Sequence, residues 1–172
     1  PFGDRLTTME VTIHRFVLAE FNTHRVFSRN SASSRAIPVE KMLARATDDP
    51  AIPLLWPAEQ KGMQGGDQLD NNSRFAAYEV WDRARLSAIE SATLLTRIGL
   101  HKSVVNRLLE PFLPHTIIVS STEWVNFFAQ RCNPAAQPEM RAAAEQMRGA
   151  YLESTPTKLD YDQWHTPYIS TE

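Results

Sequence analysis

The sequence predicts an α+β fold, and three observations carry it. Residues 7 to 14 alternate, with Met9, Val11 and Ile13 apolar between Thr8, Glu10, Thr12 and His14, the period-two signature of a half-buried strand. A second β-rich run, residues 115 to 120, lies about a hundred positions further on, and between them stands one long helical pattern from about residue 73 to 98. Strands mixed with long helices, without regular βαβ alternation, favour an antiparallel or mixed sheet packed by helices over a doubly wound parallel one.

Each element has its own local justification. From Phe16 to Arg25 the apolar spacing becomes helix-compatible and delivers Thr23-His24-Arg25 at its end. A Ser/Asn-rich loop follows. Pro38, suited to a helix start, then opens a helix through Val39 and Leu43. Residues 50 to 72 hold Pro50, Pro53, Pro57, Gly62 and the pair Gly65-Gly66, which marks a long loop with a short strand at residues 53 to 56. A loop of that length is a candidate for function or mobility, with Lys61 to Gln64 at its centre.

In the long helix Tyr78, Trp81, Ala84, Ala88, Ala92 and Leu95 recur at steps of three and four and form a core-facing stripe. Gly99 is a natural stop. A further helix is expected at about 102 to 110, ended by Pro111, then the strand at 115 to 120. Ser120-Ser121-Thr122-Glu123 fits a capping box, so a helix should begin there and run to about Arg131. Pro138 opens the last helix, to about Leu152.

Composition bounds the function. At 172 residues the chain is one domain's length, residues 1 to 172, and 42% hydrophobic with 22% charged residues is the balance of a soluble globular protein. No apolar run reaches the roughly 20 residues needed to span a bilayer, so no membrane association is expected. The single cysteine, Cys132, excludes an internal disulfide and fits a reducing cytoplasm. With His14, His24, His101, His115 and His165 scattered, no metal is expected. Lys plus Arg is 18 against 20 Asp plus Glu, a balance that argues against a general electrostatic grip on nucleic acid. The opening Pro1-Phe2-Gly3-Asp4 is read as interior to a longer protein.

The most informative stretch is Phe21 to Arg35, with three arginines, one histidine, two asparagines and four serines in fifteen positions. Guanidinium forks match phosphate oxygens bidentately, and hydroxyls add neutral donors. Val26 and Phe27 inside the run require that part of it be packed while the polar groups converge elsewhere.

The stretch resembles the signature of flavin-dependent thymidylate synthases. His24, Arg25, Ser28, Asn30, Ser33 and Arg35 stand in the family's register, while Thr23 replaces an Arg, Ser31 a Glu and Ala36 a Tyr. Pro1-Phe2 resembles the family's Thr-Pro-Phe-Glu-His run, with Gly3-Asp4 in place of Glu-His. Arg107 in the helix after Gly99 resembles a substrate-binding arginine. Asn126, Phe127 and Arg131 match a third segment, in which Ser120 and Thr122 replace Asn and Arg.

The resemblance implies reductive methylation at C5 of a uridine 5′-monophosphate, dUMP or UMP. FAD would be the cofactor, NADPH and methylenetetrahydrofolate the co-substrates, and sites would be shared between the subunits of a homotetramer. It implies that Arg131 contacts the uracil and stabilises charge on the ring. Glu20 (at a family Gln), Thr23, Ser31, Ser33, Ser34, Arg35 and Arg107 would surround the substrate, with Arg35, Arg107 and Ser33 on its phosphate. Thr23, His24, Arg25, Asn30, Ser120, Thr122 and Asn126 would line the flavin. The departures at 23, 31 and 122 keep a ribonucleotide substrate, and a hydroxymethyl product, open. Cys132 is read as structural, because the flavin route needs no cysteine nucleophile. The principal alternative is a non-catalytic nucleotide- or nucleic-acid-phosphate-binding module.

Overall fold

The computed structural model describes residues 4–169; Pro1 to Gly3, which carry one part of the family resemblance, lie outside the described residues. Three strands form one antiparallel sheet, β1 (Thr7–His14), β2 (Ser28–Ser31) and β3 (Pro114–Ser121), in the order β1-β3-β2. β3 is central: its inward residues His115, Ile117, Val119 and Ser121 are all buried, whereas β1 buries only Val11 and Ile13 and β2 none. Cross-strand pairs share a face, so Val11 and Ile13 point inward with them, and so do Arg29 and Ser31 of β2. The other face carries Thr8, Glu10, Thr12, Ser28, Asn30, Thr116 and Ser120.

The inward face is covered by α5 (Val125–Arg131) and α6 (Pro138–Glu153) and by the turn after β1. Val11, Val17, Phe21, Phe27, Ile117, Val119, Trp124, Phe127, Met140 and Ala144 form this core. Trp124, Phe21 and Phe127 are its largest fully buried side chains, each worth roughly 1.5–3 kcal/mol of burial. Phe27 stacks obliquely on Trp124 at 4.7 Å and meets Phe127 edge-on at 5.0 Å.

A second core joins α2 (Val39–Asp48), α3 (Asn71–Ile98) and the turn of helix at Lys102–Val105, here α4, through Val39, Met42, Ala46, Ala92, Val105, Leu109 and Leu113. Asp70 caps α3 by accepting from Asn72 N at 2.9 Å and Ser73 N at 3.1 Å, and Gly99 closes it at φ 88°, a left-handed conformation suited to glycine. The expected aromatic stripe of α3 is only partly core. Its buried residues are Arg85 and Ala92, while Tyr78 and Ala84 are exposed. Arg85 is buried for a reason: it donates to the carbonyl of Ala46 at 2.6 Å, satisfying the last turn of α2, and pairs with Asp82 at 2.7 Å.

Five other expectations are corrected. Residues 16 to 25 form a 3₁₀ turn and then only the four residues of α1 (Leu18–Phe21). The Ser/Asn-rich loop contains β2, a strand without apolar alternation that exists because the edge of β3 supplies its hydrogen bonds. Residues 102 to 110 hold one α-turn followed by 3₁₀ turns rather than one helix. The capping box does not form: Thr7 pairs with Ser121, extending β3, and α5 starts at Val125. Ser121 Oγ instead accepts from Glu123 N at 3.0 Å.

The long loop carries a single bridge, Pro57 to Gln68, instead of a strand at 53 to 56. It is tied down at its base. His14 Nε2 meets the carbonyl of Ile52 at 2.9 Å, and Leu54 N donates to the buried Glu139 carboxylate at 2.8 Å. Residues 61–64 are its exposed tip. No described helix is long and apolar enough to cross a membrane.

Candidate functional site

Two polar clusters emerge where the signature stretch meets the rest of the chain. The first joins the end of α1 to the end of α5. Arg131 donates through Nε to His24 Nε2 at 2.8 Å, through Nη1 to Glu20 Oε1, and through Nη2 to Thr23 Oγ1 at 3.2 Å. Three of its five N–H donors are thus used, and two are left for a ligand. Thr23 Oγ1 in turn donates to the carbonyl of Glu20 at 2.7 Å.

His24 is buried against the aromatic core, edge-on to Phe127 with ring centroids 4.9 Å apart. Because a guanidinium can only donate, Nε2 is the acceptor and the ring proton of the neutral imidazole sits on Nδ1. Burial, then Arg131 and Arg29, hold its pKa below the ordinary 6.5, so the ring adds no charge beside Arg131. The sequence reading placed Glu20, Thr23 and Arg131 around the substrate, with Thr23 and His24 beside the flavin; the four form one hydrogen-bonded unit.

The second cluster lies at the other end of the inward sheet face. Arg15 Nη1 donates to His115 Nδ1 at 2.8 Å and Nη2 to Glu110 Oε1 at 3.0 Å, while Arg107 Nη1 donates to the same carboxylate at 2.8 Å. His115 Nε2 reaches Ser31 Oγ at 3.1 Å. Glu110 is held below the ordinary carboxylate value: burial pushes it up, but the nearby Ser34 hydroxyl, Arg15 and Arg107 together outweigh that. The Ser34 hydroxyl is buried without full hydrogen-bond geometry to any partner, so its effect on Glu110 is one of proximity. Burial and Arg15, opposed by Glu110, lower His115.

The loop between Ser31 and Pro38 is fixed from below. The fully buried Asn106 donates to the carbonyls of Ser34 at 2.7 Å and Ile37 at 3.0 Å, and Lys102 Nζ donates to that of Ala36 at 3.0 Å. Ser33 Oγ accepts from Arg35 N at 3.4 Å and turns the loop so that the Arg35 side chain is exposed.

The remaining candidates fall outside both clusters. Arg25 and Arg35 are exposed, with no side-chain partner among the described residues. Asn30 and Ser120 lie on the outward sheet face, where Ser120 Oγ meets Thr8 Oγ1 at 2.6 Å. Thr122 is exposed, and Asn126 accepts from Gln130 at 3.0 Å on the exposed side of α5. Burial raises the pKa of the Cys132 thiol, a poor setting for a nucleophile.

Arg15, Glu110, His115 and Asn106 were not among the sequence candidates. One signal was available for His115: it sits at the inward phase of β3, where Ile117 and Val119 follow it, and a polar residue at that phase needs a partner.

A family model described as Thymidylate synthase complementing protein matches residues 5–157. Among the solved structures with a similar fold are two of one enzyme. One is a UMP/dUMP methylase, PolB from Streptomyces cacaoi, bound with 5-Br UMP; it is 19% identical, with 85% of this chain and 68% of that one covered and a TM-score of 0.66. The other is the same methylase bound with 5-Br dUMP, at 18% identity, 85% and 66% coverage and a TM-score of 0.69. The chain thus spans about two thirds of that methylase. No curated protein sequence matches it.

Proposed function

The chain belongs to the thymidylate synthase complementing protein family, and from that membership we propose that it methylates C5 of a uridine 5′-monophosphate, with methylenetetrahydrofolate as one-carbon donor and NADPH as reductant. The observation that carries the proposal is the convergence of Glu20, Thr23 and His24 on Arg131. For C5 to attack an electrophilic carbon, negative charge must develop across the uracil ring and its carbonyl oxygens. A cation already fixed in place stabilises that charge without reorganising at the moment of reaction. Glu20 and His24 fix the plane of the guanidinium, and its two unused N–H groups are the donors offered to the ring.

Thr23 acquires a reason on this reading. An arginine there would bring a second cation beside Arg131; threonine supplies an acceptor at 3.2 Å instead. Arg35 and Arg107, with Ser33, hold the phosphate. Arg107 is already paired with Glu110, which sets its direction but screens part of its charge. An anionic cofactor such as FAD suits the residues present: Arg25 is an exposed cation without a partner, and His24 keeps an Nδ1–H that nothing in the described chain accepts. Thr23, His24, Arg25 and Asn126 would hold it, and Asn30, Ser120 and Thr122, which lie apart from the Arg131 cluster, would meet it across a subunit contact. When bound, it supplies hydride and one-carbon carriage, and the protein supplies orientation and electrostatics.

Assembly as a homotetramer, with sites shared between subunits, is supported by α3. Phe75, Val80, Leu86, Leu94 and Ile98 are between 48% and 78% exposed along it, far more apolar surface than one helix of a monomer ordinarily shows to water.

The test is a competition. The protein, supplied with FAD, NADPH and methylenetetrahydrofolate, is given UMP and dUMP together, and the products are weighed. A methyl-sized gain on either nucleotide is expected, and the product ratio reads the sugar preference. A folded protein that binds no flavin and changes neither nucleotide would leave a phosphate-binding module instead.

A further inference from the structure

Ser31 stands at the exposed end of an edge strand, but its hydroxyl is not free to choose its role. His115, 8% exposed, touches it through Nε2 at 3.1 Å. The other ring nitrogen of His115 lies 2.8 Å from Arg15 Nη1. Arg15 has only donors, so Nδ1 of His115 accepts and the ring proton of the neutral imidazole is carried by Nε2. Nε2–H then donates to Ser31, and Ser31 Oγ is committed as an acceptor within the protein. The one hydrogen of its hydroxyl is left over and unused among the described residues. Glu110, accepting from both Arg15 and Arg107, holds the far end of the chain in place.

We propose that His115 is a positioning residue that, with Arg15 behind it, locks Ser31 as a hydrogen-bond donor to a phosphate oxygen of the bound nucleotide. The proposal rests on the functional reading above and deepens it, since it assigns a task to residues on which that reading does not depend. A phosphate dianion offers acceptors only, and a serine free to rotate would present its lone pairs to it as readily as its proton. Here one of its two lone pairs is occupied from behind by the His115 N–H, and the proton, which cannot donate in that direction, is turned outward. The neighbouring exposed groups agree in sign: Arg35, the Ser33 hydroxyl and Arg107 are all suited to an anion. Burial and Arg15 both disfavour protonation of His115, which keeps the ring in the neutral state the relay needs.

The experiment has a structural and a binding half. ¹⁵N NMR of the full-length protein should show His115 as the Nε2–H tautomer; an Nδ1–H tautomer overturns the relay. Affinities for UMP and for uridine are then measured for the flavin-loaded protein and for Ser31→Ala, His115→Phe, the double variant and His115→Gln. Loss of one such hydrogen bond is expected to weaken UMP binding about fivefold to tenfold. Ser31→Ala and His115→Phe should do so equally, the double variant no more than either, and uridine affinity should stay unchanged.

His115→Gln, which keeps a donor near the Nε2 position, should restore UMP binding to within about twofold of wild type. Additive losses, an equal loss for uridine, or a His115→Phe protein that is less stable yet binds UMP normally would overturn the proposal alone. Failure of the wild-type protein to bind UMP or dUMP would overturn the functional reading, and this proposal with it.

Discussion

The two clusters are built from the same three residue types and are wired differently. In one, Arg131 bridges Glu20 and His24; in the other, Arg15 bridges Glu110 and His115. The difference is which imidazole nitrogen faces the guanidinium. Arg131 meets Nε2 of His24, so that ring ends the chain and the arginine itself keeps two free donors at the site. Arg15 meets Nδ1 of His115, so that ring passes the hydrogen bond onward to Ser31 and the arginine stays behind. A guanidinium beside an imidazole is therefore not one device: the nitrogen it selects decides whether the spare donor stays on the cation or is passed to a neighbour.

The largest effect separating them should come from Arg131. Arg131→Lys keeps the charge but not the fork that binds Glu20 and His24 together, so turnover should fall by roughly 10²- to 10³-fold, nearly as far as in Arg131→Ala. A lysine variant close to wild type in kcat would place the cluster outside the chemistry. Next is Arg15→Met, which leaves His115 Nδ1 without its donor and Glu110 with Arg107 alone. The Arg15 and Glu110 side chains are about a sixth and a fifth exposed, so the full cost of breaking a buried pair is not expected. A loss of about 2–3 kcal/mol in urea unfolding is the expected result, with the Arg131 cluster left able to turn over nucleotide at saturating substrate.

A pH series sharpens the same contrast. Both histidines have folded-state pKa values below the ordinary 6.5. The unfolded chain therefore binds more protons than the native one just below that value, and stability is fully present above pH 6.5 and falls as pH drops beneath it. Replacing either histidine by Gln should flatten that fall, and replacing both should flatten it further. Stability unchanged between neutral pH and the lowest pH of native structure would contradict the burial argument. Glu20→Gln is the smallest change. Releasing Arg131 from a partly exposed ion pair should tighten UMP or dUMP binding by about twofold to fivefold, read by titration, whereas weaker binding would make Glu20 a substrate contact.

Much of the fold was legible where pattern and tertiary context agree. β1 and β3 alternate because one face is buried, and α3 ends at the left-handed glycine that the sequence marked as its stop. β2 was not legible: Ser28-Arg29-Asn30-Ser31 has no apolar alternation, and its pairing partner lies almost ninety residues away. The capping box failed for a related reason, because pairing with β1 holds Ser121 in the sheet against its local helix-start preference. In the Arg131 cluster, Glu20, Thr23, His24 and Arg131 could each be named as candidates from the sequence, but not the hydrogen bonds that join them. The Arg15 cluster was hidden altogether, since Arg15 meets its partners 95 and 100 residues away, and no local pattern encodes such a contact.

Carbon–carbon bond formation at C5 must expel the hydrogen that C5 carries, so the release of tritium from [5-³H]UMP and [5-³H]dUMP reports the central claim directly. With flavin, NADPH and methylenetetrahydrofolate supplied, the wild-type protein should release tritium from at least one of them. The Arg131→Ala protein, folded to the same extent, should release it at least a hundredfold more slowly, by about the lower bound set for a single fixed charge donor. Equal release by both proteins would contradict the assignment of Arg131, and no release by the wild type from either nucleotide would contradict C5 methylation itself.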